Sequence, residues 1–298
     1  MSLQFAIAGI GFHLSWEGTR LEDEPMLKFY EGFRSDGERR SRATQINVRL
    51  YLHYGELPEV NPHALLFDAV PNHWRLFRAN GHDVFEIFDA MPPHPRRQLA
   101  LMTSDFRKGE VFCKPEMDLP ESSWSITPLM RPFGELLLVS LLSQVRGALV
   151  HGLGVSHQGA GILFIGRSGA GKTTLANLYK PHRDVTILGD ERVVVTEEEG
   201  RFWLSGTPWP GEGSTVSADT VPLRKVFFLE HGAQNVLISD SFLNLYGLFF
   251  QQLFLPFWNR EALAFAMHFG EELLSAVPAA RLAFVNDARV IQFLRSQT

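Results

Sequence analysis

"GRSGAGKTT", residues Gly166 to Thr174, is the stretch on which the reading of this chain turns. Gly166-x-x-x-x-Gly171-Lys172-Thr173 has the spacing of a phosphate-cradling loop. Glycines in such a loop let backbone N–H groups turn inward with no Cβ in the way. A helix starting near Lys172 points its positive end at the same anion. In loops of this kind the lysine reaches the β- and γ-phosphates and the following hydroxyl ligates Mg²⁺, roles that fall here to Lys172 and Thr173. The candidate nucleotide-binding residues are thus Gly166, Arg167, Ser168, Gly169, Ala170, Gly171, Lys172, Thr173 and Thr174. The competing reading is a glycine-rich turn that holds no ligand. Context argues against it: the apolar, strand-like "ILFIG" precedes the loop, and "KTTLANLYK" follows as a short helix that Pro181 stops.

Downstream, "DVTILGDE" reads as a strand ending in Asp190 and Glu191. Parallel strands beside a phosphate loop bring their carboxyl ends to one edge of the sheet, so Asp190 is expected to face Lys172 and a metal. Mg²⁺ takes hard oxygen ligands, and Thr173, Asp190 and Glu191 are the candidates. A turn or helix-cap acid is the alternative for Asp190. The acids Glu197 to Glu199 fall at the tip of the hairpin "RVVVTEEEGRFWLSG" and read as solvated. Upstream, "GELLLVSLLSQVRGALVHG" reads as a buried helix from about Phe133 to Leu149. That places His151 near a helix C-terminus, where a histidine can cap carbonyls. Arg224 and Lys225, ahead of "VFFLE", read equally as phosphate contacts and as strand-end charges. Trp209 and Glu212, in "GTPWPGEG", are acceptor-loop candidates, with a structural anchor the stronger reading of Trp209.

The first half of the chain reads as strands. "QINVRLYLH" alternates Ile46, Val48, Leu50 and Leu52 with polar residues, the period of a half-buried strand. "WRLFRANGHDVFEIFD" is a hairpin whose turn is Asn80-Gly81, and "QLALMTSDFRKGEVFCK" is a further strand pair. Proline-rich joints follow at Met91 to Arg97 and at Lys114 to Pro132, the second being the candidate linker. The C-terminal part is expected to turn helical over Ser239 to Leu253 and Asn259 to Ala276, followed by the strand "RLAFV" and a helix from Asp287 to Arg295. The expected domains are a β-rich one over 1–130, of unknown role, and one over 131–298 that carries the phosphate loop.

Composition narrows the functional classes. The formal net charge of −5 lacks the bulk basic footprint of a nucleic-acid binder, and the mixed loop "RSDGERRSR" (Arg34 to Arg42) reads as solvated. One cysteine, Cys113, excludes an intrachain disulfide and a cysteine metal site, and fits a reducing, cytoplasmic compartment. The N-terminus lacks a signal-peptide pattern, and Ser140, Ser143, Gln144 and Arg146 interrupt the apolar run at Leu136 to Val150, so no membrane span is expected. The histidines His53, His63, His73, His82 and His94 are scattered and read as surface or structural rather than as a metal cluster. The aromatic run of Phe249, Phe250, Phe254, Phe257 and Trp258 reads as core ahead of a subunit interface, which leaves the oligomeric state open.

From about His151 to Val195 the chain resembles the HPr kinase/phosphorylase family and its ATP-dependent phosphoenolpyruvate carboxykinase relatives. The likeness is carried by His151-Gly152, "LGVSHQGAGILFIG", "GRSGAGKTTL" and "ILGDERVVV". It is strongest to the HPr kinase-related group of short bacterial proteins, in which a β-rich region precedes the kinase core and segments like "GTPWPGEG" and "PLRKVFFLE" follow it. The resemblance implies an α/β (α+β) chain: a P-loop core like the HPr kinase C-terminal domain and phosphoenolpyruvate carboxykinase, behind a β-rich N-terminal domain. It implies ATP as phosphoryl donor, Mg²⁺ as cofactor, and a hydroxyl on a protein, peptide or small-molecule acceptor. It gives Lys172 the phosphate contact, Asp190 the part of metal-side acid or catalytic base, and His151 an assisting part on the acceptor side. Where HPr kinases carry Asp-Asp, this chain has Asp190-Glu191, and "GTPWPGEGST" stands where their Arg-Gly-Leu-Gly signature would fall. The acceptor is therefore unassigned, and a non-catalytic, nucleotide-responsive binding protein is the alternative. A conventional switch or motor ATPase fits less well, since the acidic strand end follows only 18 residues after Lys172, through a short helix, and the guanine-reading Asn-Lys-x-Asp motif is missing.

Overall fold

A computed structural model of the chain describes residues 1–20, 26–35, 45–61, 63–69, 73–89, 93–114, 123–124, 126, 129 and 132–297. Most of the expected linker at 114–132, the first residues of the joint at 91–97 and most of the basic loop at 34–42 lie outside the described residues. The molecule is a mixed α/β protein with two large sheets and few helices. It forms two compact units: one takes the chain up to Leu141 together with Pro256–Arg260, and the other takes Leu142–Leu255 and Glu261 onward. The expected boundary at residue 130 thus falls before the helix that closes the first unit.

The first unit contains β1 (Ser2–Ile7), β2 (Ile10–Trp16), β3 (Thr19–Arg20), α1 (Leu27–Glu31), β4 (Ile46–Tyr54), β5 (Ala64–Asp68), β6 (Trp74–Ala79), β7 (His82–Phe88), β8 (Arg96–Met102), β9 (Lys108–Cys113), β10 (Ser123–Trp124) and α2 (Phe133–Leu142). Eight strands form one sheet in the order β1-β2-β4-β9-β8-β7-β6-β5. Alternation decides which face is buried: Ile46, Val48, Leu50 and Leu52 of β4 all lie in the core. The β6–β7 hairpin turns at Asn80-Gly81, both with positive φ (49° and 79°), the geometry that two-residue hairpin turns demand. Phe85 is fully buried among Trp74, Phe106 and Phe133. Cys113 is also buried, which pushes its thiol pKa upward and keeps it an unreactive core group.

The second unit contains β11 (Gly147–His151), β12 (Leu153–His157), β13 (Ala160–Ile165), α3 (Lys172–Tyr179), β14 (Val185–Gly189), β15 (Arg192–Glu198), β16 (Arg201–Gly206), β17 (Thr220–His231), β18 (Val236–Ile238), α4 (Phe242–Phe250), α5 (Arg260–Ala276), β19 (Ala279–Phe284) and α6 (Arg289–Arg295). Its main sheet runs β11-β15-β16-β17-β13-β12-β14, with β19 also on β17 and β18 on β19. The long β17 joins the two halves: its first residues pair with β16 and its later ones with β13 and β19. Two core clusters cover the faces. One gathers Leu163, Val195, Phe228, Phe249 and Phe269; the other gathers Phe164, Leu175, Phe227, Leu282 and Ile291.

The expected helix over Phe133 to Leu149 is shorter in the structure. It stops at Leu142, passes through a 3₁₀ turn (Ser143–Val145), and Arg146 takes a left-handed φ of 48° before β11 begins. Gly147 enters β11 where a Cβ would lie 3.1 Å from the Val195 carbonyl, so a close approach to β15 fixes the change. Ala148, Leu149 and Val150 are buried, and a run buried on both faces carries no period to separate helix from strand. His151 therefore ends a strand. The hairpin acids are also not uniformly solvated: Glu197 pairs with Arg146 and accepts from the Gly200 N–H at 2.6 Å. The aromatic run divides as well. Phe249 is core, whereas Phe257 is 59% exposed and stacks on Phe67, and Trp258 stands edge-on to Trp74. Among the described residues no helix is long and apolar enough to cross a membrane.

Candidate functional site

Strand direction assembles the site. β12 lies between β13 and β14 and is antiparallel to both, so β13 and β14 run parallel and end at one edge. The glycine loop leaves β13 there, and Asp190-Glu191 leave β14 there. His151, the last residue of β11, pairs with Arg192, the first of β15. The Gly152 N–H donates to the Glu191 carbonyl at 3.0 Å. The outcome is a cleft of about 320 Å³ that brings His151, Lys172, Thr173, Asp190 and Glu191 together with the tip of the loop.

The loop is held by its own geometry. Gly171 has a φ of 99°, and a Cβ there would lie 2.6 Å from the Phe284 ring. It precedes α3 without a side chain to cap it, so first-turn N–H groups are left for an anion. Lys172 is only 8% exposed. Its Nζ donates to the Gly166 carbonyl at 2.6 Å, which folds the lysine across the loop. Burial lowers the Lys172 pKa, with the Glu191 carboxylate acting in the opposite direction. Arg167, Ser168 and Gly169 are exposed, and Thr173 and Thr174 are half-buried in the cleft wall.

Asp190 is 5% exposed, and its Oδ1 accepts the Gly211 N–H at 2.7 Å. A Cβ on Gly213 would come within 2.4 Å of its Oδ2. The "PGEG" segment thus wraps the carboxylate so closely that Gly213 has no room for a side chain. Glu191 is ion-paired with Arg192 at 2.7 Å, which offsets part of its charge. Among the described residues no three His, Cys, Asp or Glu side chains form a cluster able to hold a metal. Mg²⁺ needs no such cage, since it keeps water and phosphate oxygens and takes one or two protein ligands. Thr173 and Asp190, hard oxygen donors on one cleft, suit that ion, with Glu191 beside them.

Some sequence candidates sit elsewhere. Lys225 pairs with Ile162 near the start of β13, whereas Phe228 pairs with Ile165 at the loop end, a strand distance of about 10 Å. Arg224 and Lys225 are therefore at the wrong end of β17 for the loop. Trp209 is 2% exposed and anchors its segment, and Glu212 lines the cleft. His231 escaped the sequence reading. It ends β17, parallel to β13, and its Nε2 lies 2.7 Å from the Gly169 carbonyl. The signal available was its place directly after an apolar strand. Gly211 and Gly213, spaced around Glu212, were equally legible as a close-approach pair. No protein-family model matches the chain, and no curated protein matches it.

Proposed function

We propose that this chain is an ATP-dependent phosphotransferase of the HPr serine kinase type, passing the γ-phosphate of ATP to a hydroxyl of a protein, peptide or small-molecule acceptor. The observation that carries this reading is the shared cleft: a phosphate-loop lysine, a metal-suited hydroxyl and a buried carboxylate line one small space. In this reading the loop amides and Lys172 hold the β- and γ-phosphates. Mg²⁺ would be held from the side of the cleft formed by Thr173, Asp190 and Glu191, and would supply charge neutralisation for the transferred group. The acceptor oxygen bonds to the γ-phosphorus while the bond to the β–γ bridging oxygen breaks and ADP leaves with that electron pair. The acceptor proton passes to Asp190, and His151, which lines the same cleft, orients the acceptor.

One observation favours a second reading, a nucleotide-responsive binding protein without catalysis: Asp190 already accepts a backbone N–H and is closely wrapped. Phosphotransfer from γ-labelled ATP into acceptor-containing lysate separates the two. The kinase reading expects label transfer by the wild-type chain, falling about 10²- to 10⁴-fold in Asp190→Asn with ATP binding retained. Transfer undiminished in that variant would remove Asp190 as the base. ATP binding with no transfer to any fraction would leave the binding-protein reading.

A further inference from the structure

A second, larger cleft of about 780 Å³ opens on the other side of the glycine loop, and nothing in the transfer chemistry above uses it. It lies over the carboxyl end of β17 and Arg281 of β19, with α4 as its outer wall. The two clefts share Ser168 and Gly169, so a ligand draped over the loop tip enters both. We infer that this cleft is the nucleoside site, taking the base and ribose of the nucleotide whose phosphates lie in the smaller cleft; the inference rests on the phosphate reading of the loop.

The chemistry of the walls separates the two spaces. The small cleft holds Lys172, Asp190, Glu191 and His151, the groups that phosphate, metal and a reacting hydroxyl require. Apart from Arg167 of the glycine loop, the charges of the large cleft are committed to one another. Arg281 pairs with Glu230 and, at 3.4 Å, with Asp240. Asp240 also accepts from the Asn244 side chain at 2.8 Å, and His231 is bonded to the Gly169 carbonyl. Beyond these pairs, and Arg167 and Ser168 at the loop, the space is faced by apolar surface and amide: Leu243, Leu248, Gln251 and Gln252. Leu243 is 77% exposed and adds apolar surface to the cleft. Apolar walls with a few amides suit a flat heteroaromatic base with polar edges, and the volume lies within the range of small-molecule sites. A phosphoryl acceptor fits the large cleft poorly, because its hydroxyl must reach Asp190 on the other side of the loop.

Gly247 makes the inference testable. It lies in α4 on the cleft wall, and a Cβ there would meet nothing within 4 Å. A methyl group there enters open space, a leucine carries more bulk into it, and replacing a helical glycine favours the helix. The experiment measures binding of Mg·ATP and of inorganic tripolyphosphate by calorimetry to wild type, Gly247→Ala and Gly247→Leu, with thermal melting as the fold control. The expected result is a graded loss of ATP affinity, about tenfold or more for Gly247→Leu, with tripolyphosphate affinity unchanged. Unchanged ATP affinity in a folded Gly247→Leu overturns the inference. Equal loss of both ligands overturns it too, since the loop itself would then be disturbed. A wild-type chain that binds neither ligand removes the phosphate reading and this inference with it, whereas failure of the inference alone leaves tripolyphosphate bound.

Discussion

Both units contain three neighbouring parallel strands: β2-β4-β9 in the first, β13-β17-β19 in the second. Both sets bury alternating or continuous apolar residues, and each sits within a larger mixed sheet. They differ in the residues at the carboxyl ends of the strands. After β2 comes Glu17-Gly18, after β4 Gly55-Glu56, and after β9 Lys114. After β13 comes a six-residue loop with three glycines, then a helix whose first residue is a buried lysine. Parallel strands supply an edge where loops converge; a site arises only where those loops can turn backbone N–H groups and charge into a common space.

The contrast can be broken most forcefully in the cores. Phe85→Ala in the first unit and Phe269→Ala in the second each remove a fully buried ring, and each should cost about 3–5 kcal/mol in chemical denaturation. With protein still folded, Phe85→Ala should leave ATP affinity as it was. A folded Phe85→Ala chain with no ATP affinity would mean that the site is not confined to the second unit.

Next in size is Lys172→Ala. It should weaken Mg·ATP binding about 100-fold or more while the melting curve still shows a folded chain, because an anion loses its buried cationic partner. Unaltered affinity in the folded variant would end the assignment of the loop as a phosphate site. A smaller effect is expected from Gly81→Ala, which forces a side chain onto a φ of 79° where nothing else is crowded. It should destabilise by about 1–2 kcal/mol from backbone strain alone and leave nucleotide binding untouched. Gly171→Ala meets the Phe284 ring as well, so a loss no greater than that of Gly81→Ala would contradict the tight loop packing.

The smallest effect is one of pH. Burial holds the Lys172 pKa below the ordinary lysine value, so the cation is lost earlier on the alkaline side. ATP affinity should therefore begin to fall, at most about tenfold per pH unit, below the pH at which an exposed lysine titrates. Stability of the unliganded chain moves the other way. Between the lowered folded value and the unfolded one, the unfolded chain binds more protons, so Lys172 contributes a rise in stability with pH. An affinity profile flat through that window would show that the Lys172 charge does not hold the phosphates.

Much of the second unit was legible because its signals are local. The loop spacing, the strand before it, the helix stopped by Pro181 and the Asp190-Glu191 strand end all follow from residue type at short range. The hairpins of the first unit were legible for the same reason, with Asn80-Gly81 marking a turn whose φ values few other residues accept. The β11 segment was not legible because Ala148, Leu149 and Val150 are buried on both faces, and burial of that kind erases periodicity. Arg224 and Lys225 could not be placed from the sequence because register along β17 is a pairing property. His231 stayed hidden because only the parallel pairing of β17 with β13 brings that side chain to the Gly169 carbonyl.

The amino-acid sequence by itself determined the phosphate-loop pattern, the identity of its lysine, hydroxyl and carboxylate candidates, and the strand-rich character of the first half. These depend on spacing and backbone chemistry within a few residues. Tertiary structure alone decided that β12 separates β13 from β14 and yet leaves their ends together, that Gly211 and Gly213 enclose Asp190, and that a second cleft meets the first at Ser168 and Gly169. Those relations join segments far apart in the chain, and their geometry is set by strand order and close packing, for which no local residue pattern codes.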